Sequence, residues 1–212
     1  MKRGQPGPET AVDRLLERQR LAQALAYVPA GVRLLDVGCG DGALLRAAGS
    51  RIGWGVGIDP ALPGTIIGRN YRLVRGAFPQ HLDDRDPFDV ITLLALLEEV
   101  PRGQLPALAS ACAMHLHPGG RLIVTTPSPG VDGVARLLES AHVISGPPRR
   151  RTLLDAAEIR DVFAAAGLSI EASRHFELGY NNVLVFARNR LARTFIQLPD
   201  TAPRHPVLSG RG

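Results

Sequence analysis

Short apolar runs alternate with amphipathic stretches of helical period along most of the chain. Val32–Val37, Ile52–Ile58, Tyr71–Val74, Phe88–Leu94 and Leu122–Thr126 read as strands, because their apolar residues are contiguous, as in strands buried on both faces. Between them, 43–48, 104–116, 131–144 and 156–166 have the spacing of helices, the last one stopped by Gly167. Ahead of the first strand, Thr10 is placed to cap a helix running to Ala26, with Val12, Leu15, Ala22 and Leu25 on its apolar side. Leu168–His175 and Val183–Ala187 close the pattern as a hairpin turning at Gly179-Tyr180-Asn181. Such alternation predicts an α/β fold: a doubly wound, mostly parallel seven-stranded sheet with an antiparallel last strand. Residues 1–30 are expected to be a flexible lead and a helix, and 31–188 the ligand-binding domain. The stretch 189–212, with Pro199, Pro203 and Pro206 and no periodicity, is expected to be a disordered tail.

Composition narrows the chemistry. The 212 residues are 45% hydrophobic and 21% charged, as in a single soluble globular domain. Lys and Arg outnumber Asp and Glu by 25 to 20, yet the sole lysine is Lys2. No interior lysine is on hand for a P-loop, a pyridoxal Schiff base or a Tyr-x-x-x-Lys dehydrogenase pair. Two cysteines, Cys39 and Cys112, are too few for a disulfide framework or a structural zinc site. Cys112, His115 and His117 lie close in sequence, but His117 falls in the turn before Pro118 and no fourth ligand follows, so no metal is expected. The N-terminus has no apolar signal core, and the most apolar stretch, Val90–Leu97, is far too short to span a membrane. A cytoplasmic protein is the expectation.

Ligands on doubly wound sheets bind beyond the carboxyl ends of the strands. There the chain carries Leu34-Leu35-Asp36-Val37-Gly38-Cys39-Gly40-Asp41-Gly42, a strand passing into a helix through glycines. Gly38 and Gly40 permit a sharp turn and leave room where a Cβ would meet a ligand. The free N–H groups at the helix start favour a carboxylate. G-x-G-x-G differs from the G-x-G-x-x-G of dinucleotide folds and suits a ligand with an amino-acid end better than a pyrophosphate. Asp59 ends the second strand, where a carboxylate can accept both hydroxyls of a ribose. Asp59-Pro60 is also a common turn opener.

These residues resemble those of class I S-adenosylmethionine-dependent methyltransferases of the small bacterial, ubiquinone-biosynthesis-like kind. The likeness rests on Leu35–Gly42, on Gly57-Ile58-Asp59, and on Phe88-Asp89-Val90-Ile91 running into Leu97-Glu98-Glu99-Val100-Pro101. It continues in Leu116-His117-Pro118-Gly119-Gly120-Arg121-Leu122 and in Val162–Leu168. It implies a Rossmann-like methyltransferase fold with S-adenosylmethionine as cofactor. Gly38, Cys39 and Gly40 would then line its methionine end, with Asp36 bracing the loop. Asp59 would take the ribose and Pro60 flank the adenine, while Thr92, Leu93 and Leu94 pass near the sulfonium. Many relatives place an acid after the third-strand glycine, whereas Gly76 is followed here by Ala77-Phe78. The adenine edge is therefore expected to rely on backbone groups and Phe78. Many relatives also carry His where this chain has Glu99.

Methyl transfer needs alignment more than acid–base help, and a base only if the acceptor arrives protonated and weakly acidic. Glu98, Glu99 and His142 are the candidate catalytic residues. Either glutamate could take a proton or bind an acceptor ammonium, or simply favour a helix start. His175 and Tyr180 also fall in segments bordering the pocket. Arg149-Arg150-Arg151 reads as a clamp for a phosphate or carboxylate, or as a solvated charge run. The expected partner is a small-molecule acceptor with an apolar body and room for an acidic group. Nucleic acid is not expected: Leu93-Leu94-Ala95-Leu96 is not the Asn/Asp-Pro-Pro-aromatic stretch of base-amino methylases, and aromatics are only 5%. The arginine-bearing tail, with Arg188, Arg190 and Arg193, is the one feature favouring RNA. A methyltransferase-like fold that binds cofactor without methylating is the remaining alternative.

Overall fold

The computed structural model describes residues 11–127, 154–176 and 181–189. Among these residues are four α-helices: α1 (Ala11–Leu25), α2 (Ala43–Ala48), α3 (Leu105–His115) and α4 (Ala156–Ala165). They flank eight strands: β1 (Arg33–Val37), β2 (Trp54–Asp59), β3 (Ile66–Ile67), β4 (Tyr71–Arg75), β5 (Phe88–Leu94), β6 (Leu116–Pro127), β7 (Leu168–Phe176) and β8 (Asn181–Arg188). Their order is β3-β4-β2-β1-β5-β6-β8-β7. β4, β2, β1, β5 and β6 run parallel, and β8 is antiparallel to both β6 and β7. The sheet is thus the expected one with an additional edge strand. β3 is two residues long and pairs Ile66 with Leu73 and Ile67 with Arg72, too short to leave a periodic signature.

Alternation along the strands splits the core into two layers. Leu35, Val37, Ile91, Leu93, Leu122, Val124, Leu184 and Phe186 face one way, in one cluster with Ala109 and Cys112 of α3 and Ile159 and Phe163 of α4. Leu34, Val90, Ile123, Val183 and Val185 face the other, with Ala24 of α1 and Leu44, Leu45 and Ala48 of α2. At about 25 cal/mol per Å² these two apolar layers are the main source of stability. Gly167, with φ +81°, ends α4 as the sequence suggests. Asp155 opens α4 by accepting from the Ala157 N–H at 3.3 Å.

β6 differs from the expected 122–126 segment by starting at Leu116. Phe88 pairs with Leu116 but Val90 pairs with Arg121, so His117–Gly120 bulge out of an otherwise continuous strand. A Cβ on Gly120 would stand 2.9 Å from both the Asp89 and His117 carbonyl oxygens. The bulge therefore requires glycine there, and the Pro-Gly-Gly signal marks an irregularity within the strand rather than a turn before it. Among the described residues no helix is long and apolar enough to cross a membrane.

The chain runs outward from β1 through β2 to β4 on one side and through β5 and β6 on the other. The reversal falls between β1 and β5, and the glycine segment leaves β1 at that point.

Candidate active site

Beyond β1 the chain makes its turn on glycines of positive φ, +74° at Gly38 and +55° at Gly40, a region that penalises any Cβ. The Gly38 and Cys39 N–H groups both donate to the Ile58 carbonyl of β2, at 2.9 and 3.3 Å. The Gly40 N–H donates to Asp59 Oδ2 at 3.0 Å, and the Ala61 N–H donates to Asp59 Oδ1 at 2.7 Å. Asp59 thereby ties the glycine loop to its own turn, with lone pairs still available on both oxygens. Pro60, which follows it, is exposed.

The glycines do different jobs. A Cβ on Gly40 would meet nothing within 4 Å, so that stretch of bare main chain faces open space. At Gly38 a Cβ would come within 2.8 Å of Leu96 Cδ1, the flexible tip of a side chain from beyond β5. At Gly57 it would strike Leu73 and Cys39 Sγ, at 2.7 and 2.8 Å. Gly57 therefore serves close packing inside the sheet. Cys39 points its buried thiol at that same spot, so toward the loop's open side it offers only main chain.

Asp36 lies beneath the loop on β1 and is 3% exposed. Its Oδ1 accepts the Thr92 hydroxyl of β5 at 2.7 Å. The loop amides go to Ile58, so Asp36 braces the neighbouring strand and not the loop N–H groups. Burial pushes its carboxyl up to about 7; the Thr92 bond opposes this and the Asp59 charge adds to it. Burial likewise raises the Cys39 thiol, with the Asp36 and Asp59 charges contributing further.

β5 ends in a strained turn. Ala95 has φ +50°, and its N–H donates to both the carbonyl and the Oγ1 of Thr125, at 3.2 and 3.1 Å. Residues held this way concentrate at functional sites. The turn sends Leu96 back over Gly38 and starts the short Leu97–Glu99 helical turn. Within that turn the two candidate acids separate: Glu98 is 8% exposed and Glu99 lies on the surface. Leu93 is fully buried and Leu94 half-buried.

On the β4 side, the Ala77 N–H donates to His81 Nδ1 at 3.1 Å. The Phe78 ring packs edge-to-face on His115 of α3, 5.2 Å between centroids. Arg72 pairs with Asp83 and Asp84, and Arg33 with Asp84 at 3.2 Å, fastening the 76–87 segment to β1 and β4. His175 is exposed on β7. Cys112 is buried within α3, His115 Nδ1 lies 2.8 Å from the Ala111 carbonyl, and His117 is exposed. His142, Tyr180, Arg149-Arg150-Arg151, Arg190 and Arg193 lie outside the described residues. Sequence reasoning named Ala95 and Leu96 only as part of an apolar stretch, without the turn they make, and did not single out Thr125, for which a polar residue inside an apolar strand run was the only signal.

A doubly wound sheet whose reversal point carries bare glycine main chain, hydrogen-bonded to an acid at the next strand's end, defines a nucleotide-type binding domain. The chain belongs to the methyltransferase-domain family, whose model matches residues 10–173. It is 30% identical over 176 residues to the ubiquinone biosynthesis O-methyltransferase of Idiomarina loihiensis, covering 72% of this chain and 71% of that one. The enzyme of the same name from Xanthomonas axonopodis pv. citri is 32% identical, covering 68% of this chain and 65% of that one. Among solved structures, magnesium protoporphyrin IX methyltransferase of Synechocystis PCC 6803 superposes with a TM-score of 0.62 at 21% identity, covering 86% of this chain and 90% of that one. The chain is a class I S-adenosylmethionine-dependent methyltransferase, and S-adenosylmethionine is its cofactor.

Proposed function

We propose that this enzyme methylates a small molecule with an apolar body, and that it works chiefly by positioning. The observation that carries the reading is the Asp59 carboxylate, hydrogen-bonded to Gly40 beside main chain that has open space over it. That donor set fits the cofactor: a carboxylate for the two ribose hydroxyls, and main chain uncluttered by Cβ for the amino-acid end. With the Gly38, Cys39 and Gly40 N–H groups already donated to Ile58 and Asp59, this loop offers its carbonyls to the ammonium of the amino-acid end, Asp59 offers its remaining lone pairs, and Pro60 flanks the adenine. The backbone of Ala77 and Phe78 serves the adenine edge, since the Phe78 ring is engaged with His115.

When bound, S-adenosylmethionine would supply a methyl group already activated on sulfonium, open to in-line attack by an acceptor lone pair with the thioether as leaving group. Holding two reactants in line is worth about 7–11 kcal/mol of barrier. The protein's own part is then to fix the acceptor and exclude water. Leu94 and Leu96, both half-buried, form the apolar side of the carboxyl edge, which suits a hydrophobic acceptor body. Glu98 and Glu99 remain the candidates for an acceptor contact, both in the short turn that follows Ala95.

The two relatives bear the name of ubiquinone biosynthesis O-methyltransferases, which supports a small acceptor methylated on oxygen. The test is to incubate the protein with S-adenosyl-[methyl-³H]methionine and either a bacterial small-molecule extract or total RNA. Label in the organic-extractable fraction is expected; label confined to RNA would overturn the reading, and cofactor binding without transfer to either would favour a non-methylating role.

A further inference from the structure

A cavity of about 340 Å³ lies at the amino edge of the sheet, away from the glycine loop. Val28, Ala172 and Val185 give it an apolar floor, part of the layer that faces α1 and α2. Tyr27, Arg51, Arg121 and Glu171 also line it. Arg121 pairs with Val90 near the start of β5, whereas the glycine loop follows the far, carboxyl end of β1.

Particular backbone features build this cavity. Ile170 pairs with Phe186 and Ala172 with Val185, which leaves Glu171 as the extra residue of a β-bulge. A bulge breaks the alternation of a strand, and here two consecutive residues, Glu171 and Ala172, line the same cavity. Glu171 thereby meets Arg121, its two oxygens accepting from Nε and Nη2 at 2.8 and 2.7 Å. The Arg51 carbonyl accepts the Gly31 N–H at 2.7 Å. Gly53 permits that approach, since a Cβ there would stand 2.6 Å from the Gly31 carbonyl oxygen.

The charges do not balance. Two guanidinium groups share the cavity with one carboxylate. Arg51 pairs with no carboxylate among the described residues, and Arg121 keeps N–H donors that Glu171 does not use.

We infer that this cavity is a second small-molecule site, separate from the cofactor cleft, and that it takes a monocarboxylate with a flat apolar body. One carboxylate neutralises the surplus positive charge and presents the two oxygens that a guanidinium fork receives. A phosphate monoester would bring nearly two negative charges where one positive charge is unmatched, and an ammonium would be repelled. The volume is at the lower end of small-ligand clefts, about 300–1,000 Å³, which suits a body of one or two rings. Nothing in this site depends on the methyl-transfer reading.

The test titrates the full chain by calorimetry at pH 8, with and without S-adenosylhomocysteine. The probes are 2-naphthoate, 2-naphthyl phosphate, 2-naphthalenemethanol and 2-naphthylmethylamine, which share an apolar body and differ in polar head. The carboxylate is expected to bind equally well under both conditions and roughly tenfold tighter than the alcohol or the phosphate, with no binding of the amine. Arg51→Gln is expected to weaken the carboxylate roughly tenfold. Glu171→Gln keeps the size of the side chain and enlarges the positive surplus, so it is expected to tighten binding roughly threefold. Both side chains are exposed, so neither change threatens the fold, and shifts of opposite sign do not arise from a general loss of structure. No detectable carboxylate binding, the alcohol, phosphate or amine bound as tightly, competition with S-adenosylhomocysteine, or an unchanged affinity in either variant would overturn the inference.

Discussion

Replacing Asp36 with asparagine should flatten the dependence of stability on pH. The carboxyl is held near 7 in the folded protein against an ordinary value of 3.8, chiefly by burial. Because the folded value is the raised one, the folded state keeps its proton longer than the unfolded chain. Stability from this group is complete below 3.8 and is lost as pH rises through the folded value, levelling off above it. Each pH unit in which only the folded state holds the proton removes about 1.4 kcal/mol, so the full interval removes about 4 kcal/mol. Asparagine fits the same space, and its Oδ1 can still accept the Thr92 hydroxyl, but it does not ionise.

The assay is thermal melting of the wild type and Asp36→Asn between pH 5 and 8. Other titrating groups contribute alike to both proteins, so the difference between the curves isolates Asp36. From pH 5 to 7 the wild type should lose about 2 kcal/mol relative to the variant, which for a domain of this size is about 5–10 °C in Tm. Thr92→Val supplies the control of sign. It removes the one contact that favours the ionised carboxylate, so the wild-type decline should continue to higher pH. Parallel melting curves for wild type and Asp36→Asn would refute the assignment of a protonated carboxyl beneath the glycine loop.

Other expectations follow from the same geometry. Asp59→Ala should weaken cofactor binding by tenfold or more in calorimetry, since charge-assisted hydrogen bonds contribute about 1.5–3 kcal/mol; unchanged affinity would contradict the ribose role. Gly40→Ala and Gly57→Ala should separate binding from stability. The first meets open space and should cost about 1–2 kcal/mol through its left-handed backbone while impairing cofactor affinity; the second forces Leu73 and Cys39 aside and should lower stability by about 1–3 kcal/mol with a smaller effect on affinity. Cys39 and Cys112 are both buried with raised thiols, so 5,5′-dithiobis-(2-nitrobenzoate) at pH 8 should modify neither until denaturant is added. Rapid labelling of the native protein would show that the loop opens.

Much of the sheet was readable because its central strands are buried on both faces and appear as unbroken apolar runs. The bounds of β5 and α2 coincide with the expected ones, and the other described elements shift by a few residues. β3 escaped notice because two residues carry no period, and β6 was read short because the Pro-Gly-Gly bulge mimics a strand boundary. For the site, glycines and a spaced acid stand out in sequence, so Gly38, Gly40 and Asp59 could be named. Which glycine leaves open space could not be read, since that depends on Leu96 and Leu73, far away along the chain. The partners of Asp36 were equally hidden: Thr92 meets it only because β1 and β5 pair in a particular register, with Asp36 opposite Thr92.

The arrangement also bears on how binding energy is used. The Gly38 and Cys39 amides are already committed to Ile58, and Gly40 to Asp59, before any ligand arrives. A loop whose Gly38, Gly40 and Gly42 all have positive φ would otherwise lose conformational entropy on binding, about 1–2 kcal/mol for each residue newly ordered. Tying it to the β2 edge moves that cost into folding, where the apolar core offsets it. The cofactor side is thereby preorganised, which suits chemistry dependent on alignment. The acceptor side is built on different terms, beginning at the strained Ala95 turn, where Leu96 folds back over Gly38. Gly40→Ala should therefore raise the cofactor's Kd in calorimetry while leaving the ratio of turnover on two acceptors unchanged; a changed ratio would refute this separation of the two sides.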